Sequence, residues 1–301
     1  MRNFLLKLIA LLLFLGIIFI ILEYLVFQKN SNPFSYKYNL FQEENVEVVV
    51  AGNSHLLFGV KADSLSFKTI NIANKGRELE TDVDILMKYL DHIESLKAVI
   101  IPVSFYSLFT ELNNFSKDHI KQKRLYYRFY KLENYNQGIY KNSLLINEPY
   151  KELIDNSFLN PFTKKSYFSK LGWRANNVSF EADSQIKSKI NNLEQSIHHK
   201  KVISKNINRL QDLIDFCSDK EIQLFVVLPP YSEYFYSLTK SKYTGIIKGI
   251  LKDNFKDLTI IESNMFMSTD LDFYENSDHL NAKGATLYTK KIDSILRKNI
   301  K

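Results

Sequence analysis

The sequence predicts an α/β fold: a central parallel sheet with helices on both faces, preceded by an N-terminal membrane-spanning helix and interrupted by an inserted cap region. Three observations carry this expectation. After residue 46, short apolar runs of strand length alternate with stretches of helical periodicity. An early segment, Leu8 to Leu22, has no polar side chain. Between residues 111 and 200 the alternation breaks down, and Tyr, Phe, Asn and Lys dominate.

The apolar segment comes first in the chain. Lys7 and Glu23 close it at either end, and their side chains can reach toward polar surroundings. As a helix, Phe4 to Phe27 would span roughly 36 Å, enough to cross the hydrocarbon core of a bilayer. Arg2 and Lys7 also suit the charged start of a cleaved signal peptide, but Glu23-Tyr24-Leu25-Val26-Phe27 is bulky where a small-residue cleavage site would follow. The expectation is therefore an uncleaved single-pass anchor over residues 1–28 with its N-terminus in the cytoplasm. The body would then be extracytoplasmic, in the periplasm or at the cell surface. Residues 29–45 read as a polar linker, and 46–301 as the main domain with 111–200 as its cap.

Within that domain, Val46 to Ala51 reads as a buried strand, Thr69 to Ile72 as a second and Ala98 to Val103 as a third. Val83, Leu86, Met87, Leu90 and Ile93 mark one helix face between the last two. Ile207, Leu210, Leu213, Ile214 and Cys217 mark another, ahead of the strand Gln223 to Leu228 and its stop at Pro229-Pro230. Gly245 to Phe255 reads as helix, Leu258 to Ile261 as strand, and Ala282 to Lys298 as the closing helix. In parallel sheets, sites form at the carboxyl ends of strands. Ser54, the run Asn71 to Gly76, and Ser104 to Ser107 all follow such ends.

Composition narrows the function classes. With 45% hydrophobic residues, 14% aromatic, 9 Gly and 6 Pro, the chain is globular, neither disordered nor repetitive. Its single cysteine, Cys217, excludes an intramolecular disulfide and a cysteine-rich metal site. The net charge of +7 is scattered. The densest basic patch, Lys121, Lys123, Arg124 and Arg128 among aromatics, suits a solvated helix face or anionic polysaccharide and lipid headgroups better than nucleic acid. No nucleic-acid partner is expected.

The chemistry rests on two distant segments. Gly52-Asn53-Ser54-His55 follows the first strand, and Asn276-Ser277-Asp278-His279-Leu280-Asn281 precedes the last helix. A serine hydroxyl is a poor nucleophile near neutral pH unless an imidazole takes its proton. Ser54 and His279 are the candidates for that pair.

These segments resemble the blocks of the SGNH/GDSL hydrolase superfamily, over most of residues 46 to 110 and 200 to 300. The family's Gly-Asp-Ser turn reads here Gly52-Asn53-Ser54, and its Asn-x-x-x-x-Gly reads Asn71 to Gly76. Its Asp-x-x-His, often followed by Leu-Asn-x-x-Gly, reads Asn276 to His279 and then Leu280-Asn281-Ala282-Lys283-Gly284. The resemblance implies a flavodoxin-like SGNH three-layer sandwich, with Ser54 as nucleophile and His279 as base. The backbone amides of Ser54 and Gly76 would form the oxyanion hole. No cofactor and no metal is implied.

Two departures from the family pattern matter. Pro102-Val103-Ser104-Phe105-Tyr106 replaces the third block, Gly-x-Asn-Asp, which leaves Ser104 or Asn74 to supply the missing side-chain donor. Asn276 stands where the triad acid is expected, while Asp278 adjoins the base. Either Asp278 orients the ring, or Ser54 and His279 act alone with Asn276 lending its amide oxygen. The anchor and the missing block together resemble the accessory proteins of alginate O-acetylation and teichoic-acid D-alanylation. That likeness implies O-acylation or deacylation of a cell-surface polysaccharide, with a membrane-bound O-acyltransferase as partner.

Plainer readings stand beside these. Ser54 suits a helix N-cap, and His279 a structural turn. His55 either points away from the cleft or touches substrate. Tyr231 ends a strand or borders the cleft, and Trp173 is core or a sugar platform. His198-His199 lacks partners at metal-ligand spacing. Three function classes follow: a glycan acyltransferase or esterase, a catalytically inactive adaptor binding glycan or a membrane acyltransferase, and a lipid- or phosphate-directed hydrolase such as a lipid-directed esterase.

Overall fold

The computed structural model describes residues 2–29, 32–112, 116–149, 168–182, 184, 186–239, 242–263 and 265–300. In chain order the elements are α1 (Arg2–Lys29), α2 (Pro33–Asn39), β1 (Val48–Val50), α3 (Ser54–Gly59), β2 (Thr69–Asn71), α4 (Leu79–Tyr89), β3 (Ala98–Pro102) and α5 (Phe105–Phe109). There follow α6 (Lys117–Tyr130), α7 (Ile139–Asn142), α8 (Leu144–Asn147), α9 (Ile186–Ser196), α10 (Lys200–Asp219) and β4 (Gln223–Leu228). The chain closes with α11 (Glu233–Thr239), α12 (Lys242–Asn254), β5 (Thr259–Glu262) and α13 (Ala282–Asn299). Two compact units form: residues 1–36 with 113–165, and residues 37–112 with 166–301.

The second unit holds a five-stranded sheet in the order β2-β1-β3-β4-β5, parallel throughout. Val48 pairs with Thr69 on one side and with Ala98 on the other. The order therefore reverses direction at β1 and β3, and the crevice at such a reversal, beyond the carboxyl ends, is where ligands bind in open α/β sheets. Side chains along a strand alternate between faces. Val48, Val50, Ile100, Phe225, Val227 and Ile261 pack with Leu56 and Leu57 of α3 and with Tyr288, Ile292 and Leu296 of α13. Val49, Val99, Ile101 and Val226 alternate with them and are equally buried, on the opposite face, where α10 contacts both α4 and β4. Continuous burial on both faces explains the Val- and Ile-rich strand runs.

The strands are mostly shorter than their apolar runs. β1 covers only Val48–Val50 of the expected Val46 to Ala51, and β5 is displaced one residue toward the C-terminus. β3 stops at Pro102, which has no N–H to donate and sits beyond the last residue pairing with β1. The stretch expected as a linker contains α2 and a 3₁₀ turn, Leu40–Gln42. Within it, Lys37 is fully buried, and its Nζ donates to the carbonyls of Asn71 and Gly172, at the end of β2. Burial pushes its pKa well down, and Arg77 and Arg174 add to the effect. Of the expected cap, residues 116–149 cluster with the N-terminal segment, and the described residues from 168 to 200 with the sheet-bearing unit; positions 113–115 and 150–167 lie outside the described residues.

In the first unit, α1 is long and apolar enough to cross a membrane. Its large apolar side chains are exposed along most of its length, and α8 packs against it.

Candidate active site

The turn after β1 is shaped by Gly52, whose φ is +115°. A Cβ there would lie 2.2 Å from Pro102 Cδ, so no other residue fits without displacing β3. Gly52 N donates to Asp82 Oδ1 at 3.0 Å, and Gly52 O accepts from Asn74 N at 2.9 Å. Arg77, fully buried, donates to Ile72 O at 2.9 Å and reaches Asp82 Oδ1 at 3.3 Å. Burial raises the Asp82 carboxyl to about 6, against the pull of Arg77 and the Gly52 N–H. Asn53 then caps α3, its Oδ1 accepting from His55 N at 3.1 Å. Ser54 is the first residue of that helix, where backbone N–H groups lack helical partners. Neither the Ser54 nor the Gly76 amide finds an acceptor among the described residues.

The histidine segment is held just as firmly. Tyr274 bridges Leu280, and Glu275 N donates to His279 O at 2.9 Å. Asn281 caps α13 through Lys283 N and Gly284 N, while its Nδ2 donates to Asp272 O and Tyr274 O. Ser232 N and Oγ both donate to Ser277 O.

These two scaffolds bring His279 Nε2 to 2.8 Å from Ser54 Oγ. On the other side of the ring, Nδ1 lies 3.1 Å from Asn276 Oδ1. That oxygen already accepts from Asp278 N at 3.1 Å and His279 N at 3.0 Å. Two backbone donors can only face the amide's oxygen, which accepts and never donates. The proton of the neutral ring therefore sits on Nδ1, and the lone pair on Nε2 points at the serine. Asn276 thus sets the tautomer without supplying charge.

The charge comes from Asp278, whose Oδ1 is also 3.1 Å from His279 Nδ1 but lacks hydrogen-bond alignment. Burial alone would raise this carboxyl; the attraction of His279, with that of His55 and Lys189 behind it, holds it well below the usual carboxylate range. His55 stacks on His279 at 5.2 Å between centroids. Its Nδ1 is 2.9 Å from Asn53 Oδ1 and its Nε2 4.0 Å from Asp278 Oδ2. Burial, and then repulsion from His279, lower the His55 pKa to about 3, so this ring is neutral. His55, Asp278 and His279 offer ligand atoms within 4.8 Å of one another, the set among the described residues that could hold a metal ion.

The pair opens into a cleft of about 220 Å³ lined by Asn53, Ser54, Gly76, Arg77, Glu78, Tyr106, Thr110, Lys189, Asp278 and His279. Ser54, His279, Asp278, Asn276 and Gly76 are therefore brought together as the sequence predicts. The remaining candidates sit elsewhere. Asn74 lies behind the turn, its Oδ1 accepting from Lys75 N and its Nδ2 buried without an acceptor among the described residues. Ser104 is buried as the cap of α5, accepting from Ser107 N. Tyr231 is also buried, edge-on to His55 at 5.4 Å and stacked on Phe235 at 4.7 Å, and it does not line the cleft. Trp173 donates Nε1 to Phe58 O at 2.7 Å, with Lys61 over its ring. His199 caps α10.

Sequence reasoning missed Arg77, Asp82, Tyr106 and Lys189. A faint signal existed for Asp82, an acid in the first turn of α4 one residue from its apolar stripe. Lys189 comes from α9, within the region expected as a cap.

No known family's model matches the chain, and no curated protein matches it. Among solved structures it is similar to a crystal structure of a "putative acylhydrolase" from Bacteroides fragilis NCTC 9343. The two are 9% identical with a TM-score of 0.39, over 85% of this chain and 88% of that one.

Proposed function

We propose that the chain is a membrane-anchored SGNH-type serine esterase or acyltransferase, with a flavodoxin-like three-layer sandwich, acting outside the cytoplasm on a cell-surface polysaccharide. The observation that carries this reading is the 2.8 Å contact between Ser54 Oγ and His279 Nε2, with the ring held in the tautomer of a base. Ser54 Oγ attacks the ester carbonyl of a donor while His279 Nε2 takes its proton. The carbonyl oxygen takes up negative charge against the Ser54 and Gly76 amides. Collapse expels the donor's alcohol, which receives the proton from His279, and leaves the acyl group on Ser54. A glycan hydroxyl then attacks that acyl ester and gives its proton to His279. Breaking the bond to Ser54 returns the proton to the serine and releases acylated glycan; with water as acceptor the product is the free acid. Transfer suits a membrane-bound O-acyltransferase as the source of acyl groups.

The neutral Asn276 as direct ring partner favours a second reading, an inactive adaptor on the same scaffold. One experiment separates them. The full chain in detergent is incubated with a fluorophosphonate probe and assayed on a chromogenic acetyl ester. Stoichiometric labelling of Ser54 is expected, with losses of at least about 10³-fold in kcat for Ser54→Ala and His279→Ala. An unlabelled wild-type protein, or Ser54→Ala with wild-type turnover, removes the enzyme reading.

A further inference from the structure

The first compact unit carries an apolar feature that the proposed chemistry does not use. Ile139 is 90% exposed, Tyr140 69% and Ile146 45%, all within the short helices α7 and α8. Isolated surface apolar residues are ordinary in water, but a cluster points to a partner.

The position of this cluster follows from α1. At 1.5 Å per residue, Phe4 to Glu23 covers about 30 Å, the thickness of a bilayer's hydrocarbon core. Protein begins to cover the helix near that point: Glu23 is half-buried and Val26 is 2% exposed. Glu23 is tied directly to the start of α8. Its carboxylate accepts from Leu144 N at 2.8 Å, Ser143 Oγ at 2.9 Å and Leu145 N at 3.1 Å, and Arg128 pairs with it at 3.2 Å. A carboxylate so fully satisfied can sit at the edge of the hydrocarbon. The helices cannot swing away, because Arg124 Nε donates to Lys141 O and Asn147 Nδ2 to Tyr140 O. Phe27 stacks on Phe129 at 5.2 Å, with Arg128 and Lys131 over its ring. Lys141, next to Tyr140 in sequence, and Lys131, over the Phe27 ring, are exposed, and lysines near apolar side chains suit anionic headgroups above acyl chains.

We infer that α7 and α8 form a membrane foot: Ile139, Tyr140 and Ile146 enter the lipid interface of the leaflet in which α1 ends. This rests on reading α1 as a membrane span. The foot would fix the unit's depth and rotation, which a single helix leaves free.

The test uses the full chain in vesicles of phosphatidylethanolamine and phosphatidylglycerol, with Cys217 replaced by Ala and one nitroxide label at position 139, 140, 146 or 12. Collision with dissolved oxygen, which concentrates in lipid, is compared with collision with a water-soluble nickel chelate. Oxygen access exceeding nickel access at 139, 140 and 146 is the expected result, with the label at 12 deeper still. A lipid-embedded label at 12 with nickel-accessible labels at 139 and 140 overturns the foot and leaves the anchor. Nickel access at 12 overturns the anchor and the foot with it. Labels at 139 and 140 shielded from both reagents mean that protein covers the patch, and the lipid assignment fails.

Discussion

His279 has two neighbours at its Nδ1 with different work to do. Asn276 fixes which nitrogen carries the proton, through an oxygen already held by two backbone N–H groups. Asp278 lies as close to the ring but off the hydrogen-bond direction, so in the proposed mechanism its contribution is its field on the imidazolium that would form as Ser54 gives up its proton. Asp278→Asn should leave the tautomer intact and remove an attraction of roughly 1.4–4 kcal/mol, lowering kcat by about ten- to a thousandfold. Asn276→Asp places a charge in line with Nδ1–H and should raise kcat or leave it unchanged. Ester hydrolysis by both variants decides: full activity in Asp278→Asn takes that residue out of the mechanism, and collapse in Asn276→Asp contradicts the ring geometry. Both residues were legible because they lie within three positions of His279 in sequence. Arg77 and Asp82 were not, because their link to Gly52 exists only once α4 packs beneath the turn after β1.

The turn that carries Ser54 depends on one close approach between elements. Gly52 combines a φ of +115° with a Pro102 ring so close that an added Cβ would overlap it. The proline that replaces the third sequence block thus has a structural role, filling the space above the glycine at the end of β3. Gly52→Ala faces both left-handed strain and overlap with that ring, costing about 1–3 kcal/mol, and should shift Ser54 enough to lower esterase activity more than stability. Paired urea unfolding and kcat measurements test this; unchanged activity with a lowered midpoint would mean that the turn tolerates displacement without moving Ser54. Strand identities were readable from apolar runs, since burial on both faces leaves no other composition. Strand ends were not, because they depend on which carbonyl each N–H reaches: Ala51 N, past the last β1 pair, still donates to Ile100 O.

The chain as a whole assembles from segments far apart in sequence, the region expected as a cap among them. Its composition marked an interruption, but nothing local shows that residues 113–165 group with residues 1–36. Two buried titrating groups in the sheet-bearing unit make its stability a testable function of pH. His55 is lowered to about 3 from an unfolded value near 6.5, so the unfolded chain binds more protons between those values. Its contribution is complete above pH 6.5 and is lost as pH falls toward 3. Asp82 is raised to about 6 from roughly 3.9, so the folded chain binds more protons in that window. Its contribution is complete below about pH 4 and is lost as pH rises through 6. Between pH 4 and 6 the two slopes oppose, each approaching about 1.4 kcal/mol per pH unit. Trp173, the single tryptophan, belongs to this unit and reports its unfolding alone. Urea midpoints of the detergent-solubilised chain, followed by its fluorescence, should be nearly flat from pH 4 to 6 and drop below 4, where His55 and the depressed Asp278 both lose stability. His55→Gln removes one slope and leaves Asp82 unopposed, so its midpoints should fall as pH rises from 4 to 6, the reverse of ordinary acid unfolding. Midpoints that rise with pH in this variant would place the Asp82 proton, and with it the charge beneath the Gly52 turn, wrongly.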